Sequence, residues 1–360
     1  MKVSLMIVLH FLKSSIYSGA EHVVCTMIHN MPTKDKGYYV SPDGVISQRL
    51  KEEGIEHIVI KKLDVRTVKR IVEDIQPDVV HAHDFTASIV VAFSCKNMYL
   101  NSGKKIKIIS HIHCNPAWMQ SINAKTLLYH IATHWMDCIL VVSNAIKNEY
   151  IFRERLLCPM VEIGNPFSIS EIKRVYEKNL DKDKIIKSDI LFVGRLSRPK
   201  NPLEFIRIID ELNLQRKMVN KKVIMIGDGE LKNACKEEIK ERKLGEIIEM
   251  IGFQKNPYSY MASTQVVVMP SQWEGFGLVA LEAMTFGKPV VCSGVGGLSG
   301  IVNDSCGKIV EETKAYINEI AKLLEDNEYY KIKSNGARKR AEQFDNVNEY
   351  MSELYKIYNN

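Results

Sequence analysis

Short apolar runs alternate with amphipathic helical stretches along nearly all of the 360 residues, and they do so in two series. In the first series, residues 3–9, 55–60, 79–83, 106–111 and 138–143 read as strands. Residues 20–30 and 65–75 read as helices, the latter with Val68, Ile71, Val72 and Ile75 on one face. A polar stretch, 168–188, then interrupts, with Glu171, Lys173, Arg174, Glu177, Lys178 and Asp181 among its charges; it reads as a linker with a short helix. The alternation restarts with strands at 190–193, 223–226, 247–250, 266–269 and 289–292. Helices are expected from 203, over 231–242 and over 276–286, and 313–358 reads as helical throughout. This order builds parallel sheets covered by helices. The expected architecture is α/β, with two doubly wound, Rossmann-like domains, 1–168 and 169–341, facing across a cleft. Residues 342–360 are expected to pack back on the first domain. Ligands of such sheets bind at the carboxyl ends of the strands.

Composition narrows the function. The net charge of +6 is spread over both halves, which argues against a dedicated nucleic-acid binder. The eight cysteines are scattered, with no CxxC pair, and several sit in apolar surroundings, as expected for a reducing cytoplasm. No run reaches the 18 apolar residues of a membrane span. Lys2 and the apolar residues 3–12 imitate a signal peptide, but His10 interrupts them and a first strand explains them equally well. Two distributions are uneven. All ten histidines lie between His10 and His134, and residues 251–300 hold only Lys255, Glu274, Glu282 and Lys288 as charges.

That charge-poor window contains the strongest motif, Trp273-Glu274-Gly275-Phe276-Gly277-Leu278, between a strand and a helix. Gly275 and Gly277 let backbone approach a ligand, and amides at a helix N-terminus attract anions. Glu274 and Glu282 are eight residues apart, a spacing that places both near one helix face. Ordinary surface glutamates are the plain alternative. Leu278, Val279, Leu281, Ala283 and Met284 make the helix largely buried, where an unpaired Glu is costly. Gly194, Arg195, Arg198 and Lys200 follow the first strand of the second series, a loop that suits a diphosphate or is simply solvated. Gly227, Gly252 and Phe253 end two further strands, where a flat base could lie against backbone. The glycines at 294, 296, 297 and 300 imitate a dinucleotide fingerprint, but no placed acidic residue follows them, so a turn over phosphates or sugar is the better reading. In the first series Tyr17, Ser18, Gly19 and Glu21 form a turn into a helix, fit for a phosphate or an acceptor. The pairs His81/His83 and His111/His113 each share a sheet face. No further ligand has a recognisable metal spacing, so satisfied core histidines or a polar site role stand ahead of a metal.

Together Glu274 and Glu282, Gly194-Arg195 with Lys200-Asn201, Gly227-Asp228-Gly229, Ser143 with Lys147, and Gly164-Asn165-Pro166 resemble the family 4 retaining glycosyltransferases of the GT-B fold. The resemblance runs from the Ser18–Glu21 turn to Val310 and is more specific in the second half. It implies a hexosyl-transferring enzyme that moves a sugar from a nucleoside-diphosphate donor, without metal or other cofactor, to a glycan or lipid-linked acceptor, with retention, in cell-surface polysaccharide synthesis. It implies that Arg195 and Lys200 hold the diphosphate, helped by the amides of Gly275, Phe276, Gly277 and Leu278. Glu282 would bind the ribose, Glu274 the donor sugar, and His113, with His111 as the alternative, would lie near the reacting carbon. Two positions depart from the family: Gly300 replaces a frequent Glu, and Ser18-Gly19 a frequent Gly-Gly.

Another GT-B activity, such as a nucleotide-sugar epimerase, or a silent partner subunit are the alternatives to transfer. Trp118, Met119, Leu127, Leu128, Ile131 and Trp135, with Lys96, Lys104, Lys105 and Lys107, admit peripheral contact with the inner face of a membrane. The spacing of Leu128, Ile131 and Trp135 is more often that of a core-facing helix.

Overall fold

A computed structural model describes residues 5–16, 18–179 and 187–360, so Tyr17 and residues 180–186 of the polar stretch lie outside the described residues. The chain divides into two compact units, Met1–Pro166 with Asn346–Asn360, and Phe167–Asp345.

The first unit holds seven parallel strands: β1 (Ile7–Phe11), β2 (Lys36–Pro42), β3 (His57–Ile60), β4 (Val79–His83), β5 (Lys107–Ile112), β6 (Cys138–Val141) and β7 (Met160–Glu162). Their order in the sheet is β3-β2-β1-β4-β5-β6-β7. The second unit holds β8 (Ile190–Val193), β9 (Val223–Ile226), β10 (Ile248–Gly252), β11 (Val266–Met269), β12 (Val290–Cys292) and β13 (Gly307–Ile309), ordered β10-β9-β8-β11-β12-β13. In both sheets the chain works outward in one direction and then returns to the middle to work outward in the other. The reversal lies between β1 and β4, and again between β8 and β11. Connections diverge there, leaving a crevice at the strand ends.

Burial explains why these segments are strands. Every residue of β4, β6, β9 and β11 is buried, the mark of a parallel sheet covered on both faces. In β8, Ile190 and Phe192 join one core with Phe205, Ile209 and Ile317, while Leu191 joins the opposite core with Leu281 and Met284.

The short helix expected in the polar stretch is present. Residues Ile169–Lys178 form a helix whose N-cap, Ser168, accepts from the Glu171 amide through Oγ at 3.2 Å. Ile169, Ile172, Val175 and Tyr176 pack into the second unit's core. Lys173, Arg174, Glu177 and Lys178 are exposed and form the solvent face of this amphipathic helix. The region 313–358, expected to be helical throughout, holds three helices: Thr313–Glu325, Asn327–Glu342 and Val347–Asn359. Asp326 breaks the first pair by capping Glu328 and Tyr329 with its carboxylate. The last helix belongs to the first unit, burying Tyr350, Met351, Leu354 and Tyr358 there.

Phe205 is fully buried, with its ring 5.2 Å from that of Phe192. Phe205→Ala is expected to lower the stability of the second unit by about 3–5 kcal/mol, read by chemical denaturation followed by a probe in that unit.

Candidate active site

The second unit's reversal point is where its motif residues converge. Lys200 ends the loop after β8, and Glu274 sits in the loop after β11. Lys200 Nζ donates to Glu274 Oε2, with only 25% and 11% of the two side chains exposed. Backbone bonds knit the two loops together. The Pro199 carbonyl accepts from the amides of Gln272 at 2.8 Å and Trp273 at 3.3 Å.

The two glutamates are not on one helix face. The helix is Leu278–Thr285, so Glu274 lies in the loop before it and only Glu282 is helical. Gly277 is the N-cap and offers no side-chain acceptor; the Ala280 amide donates to the Gly277 carbonyl at 2.9 Å, which leaves the Leu278 and Val279 amides to face an anion. From outside, the glycine turn after β12 holds this loop. A Cβ on Gly296 would stand 1.5 Å from the Glu274 carbonyl oxygen, and the Gly297 amide donates to the Gly275 carbonyl at 3.1 Å. The dinucleotide-like glycines are therefore a brace for the Glu274 loop.

Gly227 serves a similar purpose. With φ of +146°, a Cβ there would fall 1.8 Å from the Gly194 carbonyl oxygen. The loops after β8 and β9 pack backbone to backbone, which the base-contact reading did not anticipate. Gly252 ends β10, and Phe253 beyond it is 52% exposed, an open aromatic face. Arg195 is exposed, its Nε 3.8 Å from Glu230 Oε2. Burial pushes the Glu282 carboxyl up to about 7, and the Tyr258 hydroxyl donates to it at 3.4 Å. Sequence reasoning missed Tyr258; nothing in the spacing singles it out.

In the first unit, Ser18 caps the helix Gly19–His29. The Glu21 carboxylate accepts from the Ser18 amide at 3.0 Å and from its hydroxyl, which makes Glu21 part of a capping box. A Cβ on Gly19 would meet nothing within 4 Å, so the turn is open above it. His113 follows β5. Its Nε2 is 2.9 Å from His83 Nδ1, and its amide donates to Asp84 Oδ1 at 3.2 Å. Burial pushes the His113 imidazole down to about 3 and the Asp84 carboxyl up to about 6. His113 is thus a neutral imidazole at ordinary pH. His111 is wholly buried, with both ring nitrogens unpartnered. Asp84 was missed; its signal is the left-handed backbone, φ +66°, rare for a non-glycine residue.

Known proteins resemble this chain in sequence and in fold. The family model for glycosyl transferases group 1 matches residues 171–340, and that for Glycosyltransferase Family 4 matches residues 9–159. An uncharacterized glycosyltransferase of Methanocaldococcus jannaschii is 25% identical over 329 residues, covering 79% of this chain and 80% of its own. A Campylobacter jejuni enzyme is 32% identical over 187 residues, about half of each chain. Its name describes N-acetylgalactosamine transfer to a diphospho-undecaprenol-linked sugar. Among solved structures, the Anabaena protein HepE in complex with UDP and glucose aligns over 98% of both chains, with a TM-score of 0.79 at 18% identity. The chain belongs to the family 4 glycosyltransferases, enzymes of the GT-B fold with two Rossmann-like units.

The raised Glu282 carboxyl has a stability signature. Between the usual carboxylate value of 4.5 and about 7, the folded protein holds a proton there that the unfolded chain has lost. The stability this group contributes therefore falls as pH rises through that window. Glu282→Gln is expected to melt near wild type at pH 5 and above wild type at pH 8, read by thermal denaturation at both values.

Proposed function

We propose that this protein transfers a sugar, with retention, from a nucleoside-diphosphate donor to a glycan or lipid-linked acceptor in cell-surface polysaccharide assembly. The observation that carries the reading is the Lys200–Glu274 pair at the reversal point of the second sheet, beside the first-turn amides of Leu278–Thr285. Breaking the sugar–phosphate bond puts negative charge on the departing diphosphate. Lys200 and Arg195, with the amides of Gly275, Phe276, Gly277 and Leu278, stabilise that charge where it develops. Lys200 exchanges its glutamate partner for phosphate when the donor binds, which frees Glu274 for the sugar hydroxyls. Glu282, as a carboxylate, accepts from the ribose hydroxyls. Phe253, with the backbone at Gly194, Gly227 and Gly252, offers the base a flat seat. The first unit takes the acceptor, with the open turn at Gly19 receiving it. His113, neutral and tied to Asp84 through its amide, serves as a hydrogen-bonding group near the reacting carbon; His111, buried with no outlet, is the weaker candidate.

A lipid-linked acceptor is supported by an inverted helix. In Ala124–Ala132 the buried residues are Thr126, Tyr129 and Ala132, while Leu127, Leu128 and Ile131 are exposed, as is Ile122 just before it. The core-facing reading of this stretch is therefore corrected for Leu128 and Ile131. Lys125 lies over the Trp118 ring at 5.2 Å, and Lys96 over Trp135 at 5.5 Å. Apolar side chains flanked by cations and indoles suit an anionic membrane surface. No helix among the described residues is long and apolar enough to cross a membrane. The Campylobacter relative's undecaprenol-linked acceptor points the same way.

Two outcomes follow. Lys200→Ala should remain folded and lose on the order of 100-fold or more in transfer rate, measured by release of nucleoside diphosphate with an undecaprenol-linked acceptor; near-wild-type turnover would sink the assignment. The double variant Leu128→Asp, Ile131→Asp should float with anionic vesicles at least ~10-fold less than wild type, while its affinity for nucleotide is unchanged.

A further inference from the structure

Five imidazoles gather at the carboxyl ends of β1, β4 and β5, and the transfer chemistry above uses at most one of them. Strand register brings them together. His10 of β1 pairs with His81 of β4, and His83 of β4 pairs with His111 of β5. Alternation along β4 keeps His81 and His83 on one face. This is the reversal point of the first sheet, the counterpart of the Lys200–Glu274 position in the second. The sequence could not show it, because the residue joining the His81/His83 pair is 71 positions upstream.

The ring nitrogens can be accounted for one by one. His10, His81 and His83 are 1%, 0% and 2% exposed. His81 Nδ1 lies 2.6 Å from the Tyr358 hydroxyl, and His83 Nδ1 lies 2.9 Å from His113 Nε2. His81 Nε2 is then left buried without a partner. His83 Nε2 faces His10 Nδ1 at 3.1 Å. One nitrogen from each of the three rings lies within 4.8 Å of the other two. Burial holds all three imidazoles in the neutral form that binds metals.

We propose that His10, His81 and His83 form a structural site for a divalent transition-metal ion of the zinc class, with Tyr358 and His113 as the outer partners that orient two of the ligands. Three neutral imidazoles are a ligand set that zinc accepts. Tetrahedral bonds of about 2.0–2.1 Å place ligand nitrogens roughly 3.3 Å apart, and the His10–His83 pair already stands close to that. A ligating histidine characteristically commits its other ring nitrogen to a hydrogen bond, as His81 and His83 do here. His111, with both ring nitrogens unpartnered, belongs to a second cluster with His83 and His113 and is not a ligand of this one. The ion would lock His81 and, through Tyr358, fix the last helix against β4.

The test uses the untagged full chain, expressed with added zinc and dialysed against metal-free buffer. About one zinc per chain by elemental analysis is expected, and cobalt substitution should give the visible bands of a four-coordinate site. His10→Gln and His81→Gln should lose the ion, whereas the exposed His29→Gln and His134→Gln should keep it. Tyr358→Phe should keep the ion but bind it about 10–100-fold more weakly. Zinc below a tenth of an equivalent in the wild-type protein, with no cobalt bands, overturns the proposal. So does an ion that leaves with the surface variants and stays with His10→Gln. Should the buried variants fail to fold, the wild-type zinc content and cobalt spectrum decide the question alone.

Discussion

The arrangement of the second unit's site depends on the carbonyl of Pro199. By accepting from the amides of Gln272 and Trp273 it joins the loop that ends in Lys200 to the loop that carries Glu274. The strands beneath fix where the loops start, but only these bonds fix where they end. The ion pair above them then forms between groups already brought together, so little side-chain freedom remains to be lost. The brace from Gly296 and Gly297 works from the opposite side, with the Glu274 and Gly275 carbonyls as its footholds. A cation and a carboxylate held this way are preorganised for a ligand whose charge changes during reaction.

The two units solve the same topological problem with different chemistry. Each sheet reverses at its middle, and each reversal leaves a crevice at the strand ends. In the second unit the crevice is edged by a basic loop, glycine turns and a helix start, which suits phosphate. In the first it is lined with imidazoles, and their burial disfavours the protonated form. Of the five rings, His81, His111 and His113 keep buried nitrogens without a partner, which is costly, so this packing calls for an account of its own.

The strands and motif residues of the second unit were legible because their signals are local. Fully buried parallel strands are unbroken apolar runs, and β8, β9 and β11 fall where those runs lie. Elements whose signals were mixed were missed. Strand β2 contains Gly37 and ends at Pro42, and β13 is only three residues long. In the polar stretch a short helix was legible but its bounds were not, because the charges around Ile169–Lys178 obscure its apolar stripe. Site features resting on long-range approach were illegible for a stricter reason. The steric need for glycine at 227 and 296 comes from a carbonyl on another loop. The Tyr258–Glu282 contact, and the meeting of His10 with His81, depend on which strands and helices become neighbours. Local patterning dictates the elements, and only the sheet order dictates those meetings.

The first unit is assembled from both ends of the chain. Tyr355 donates to Asp35 at 2.9 Å, and the Ile357 carbonyl accepts from Lys107 at 2.9 Å. Neither bond can form until the second unit's residues, 167–345, have been synthesised. During vectorial synthesis the first sheet therefore waits, with the surface meant for Tyr350, Leu354 and Tyr358 uncovered, while the second unit has everything it needs to close. Birth order and completion order are thus reversed: the unit that emerges first from the ribosome is the last to be finished.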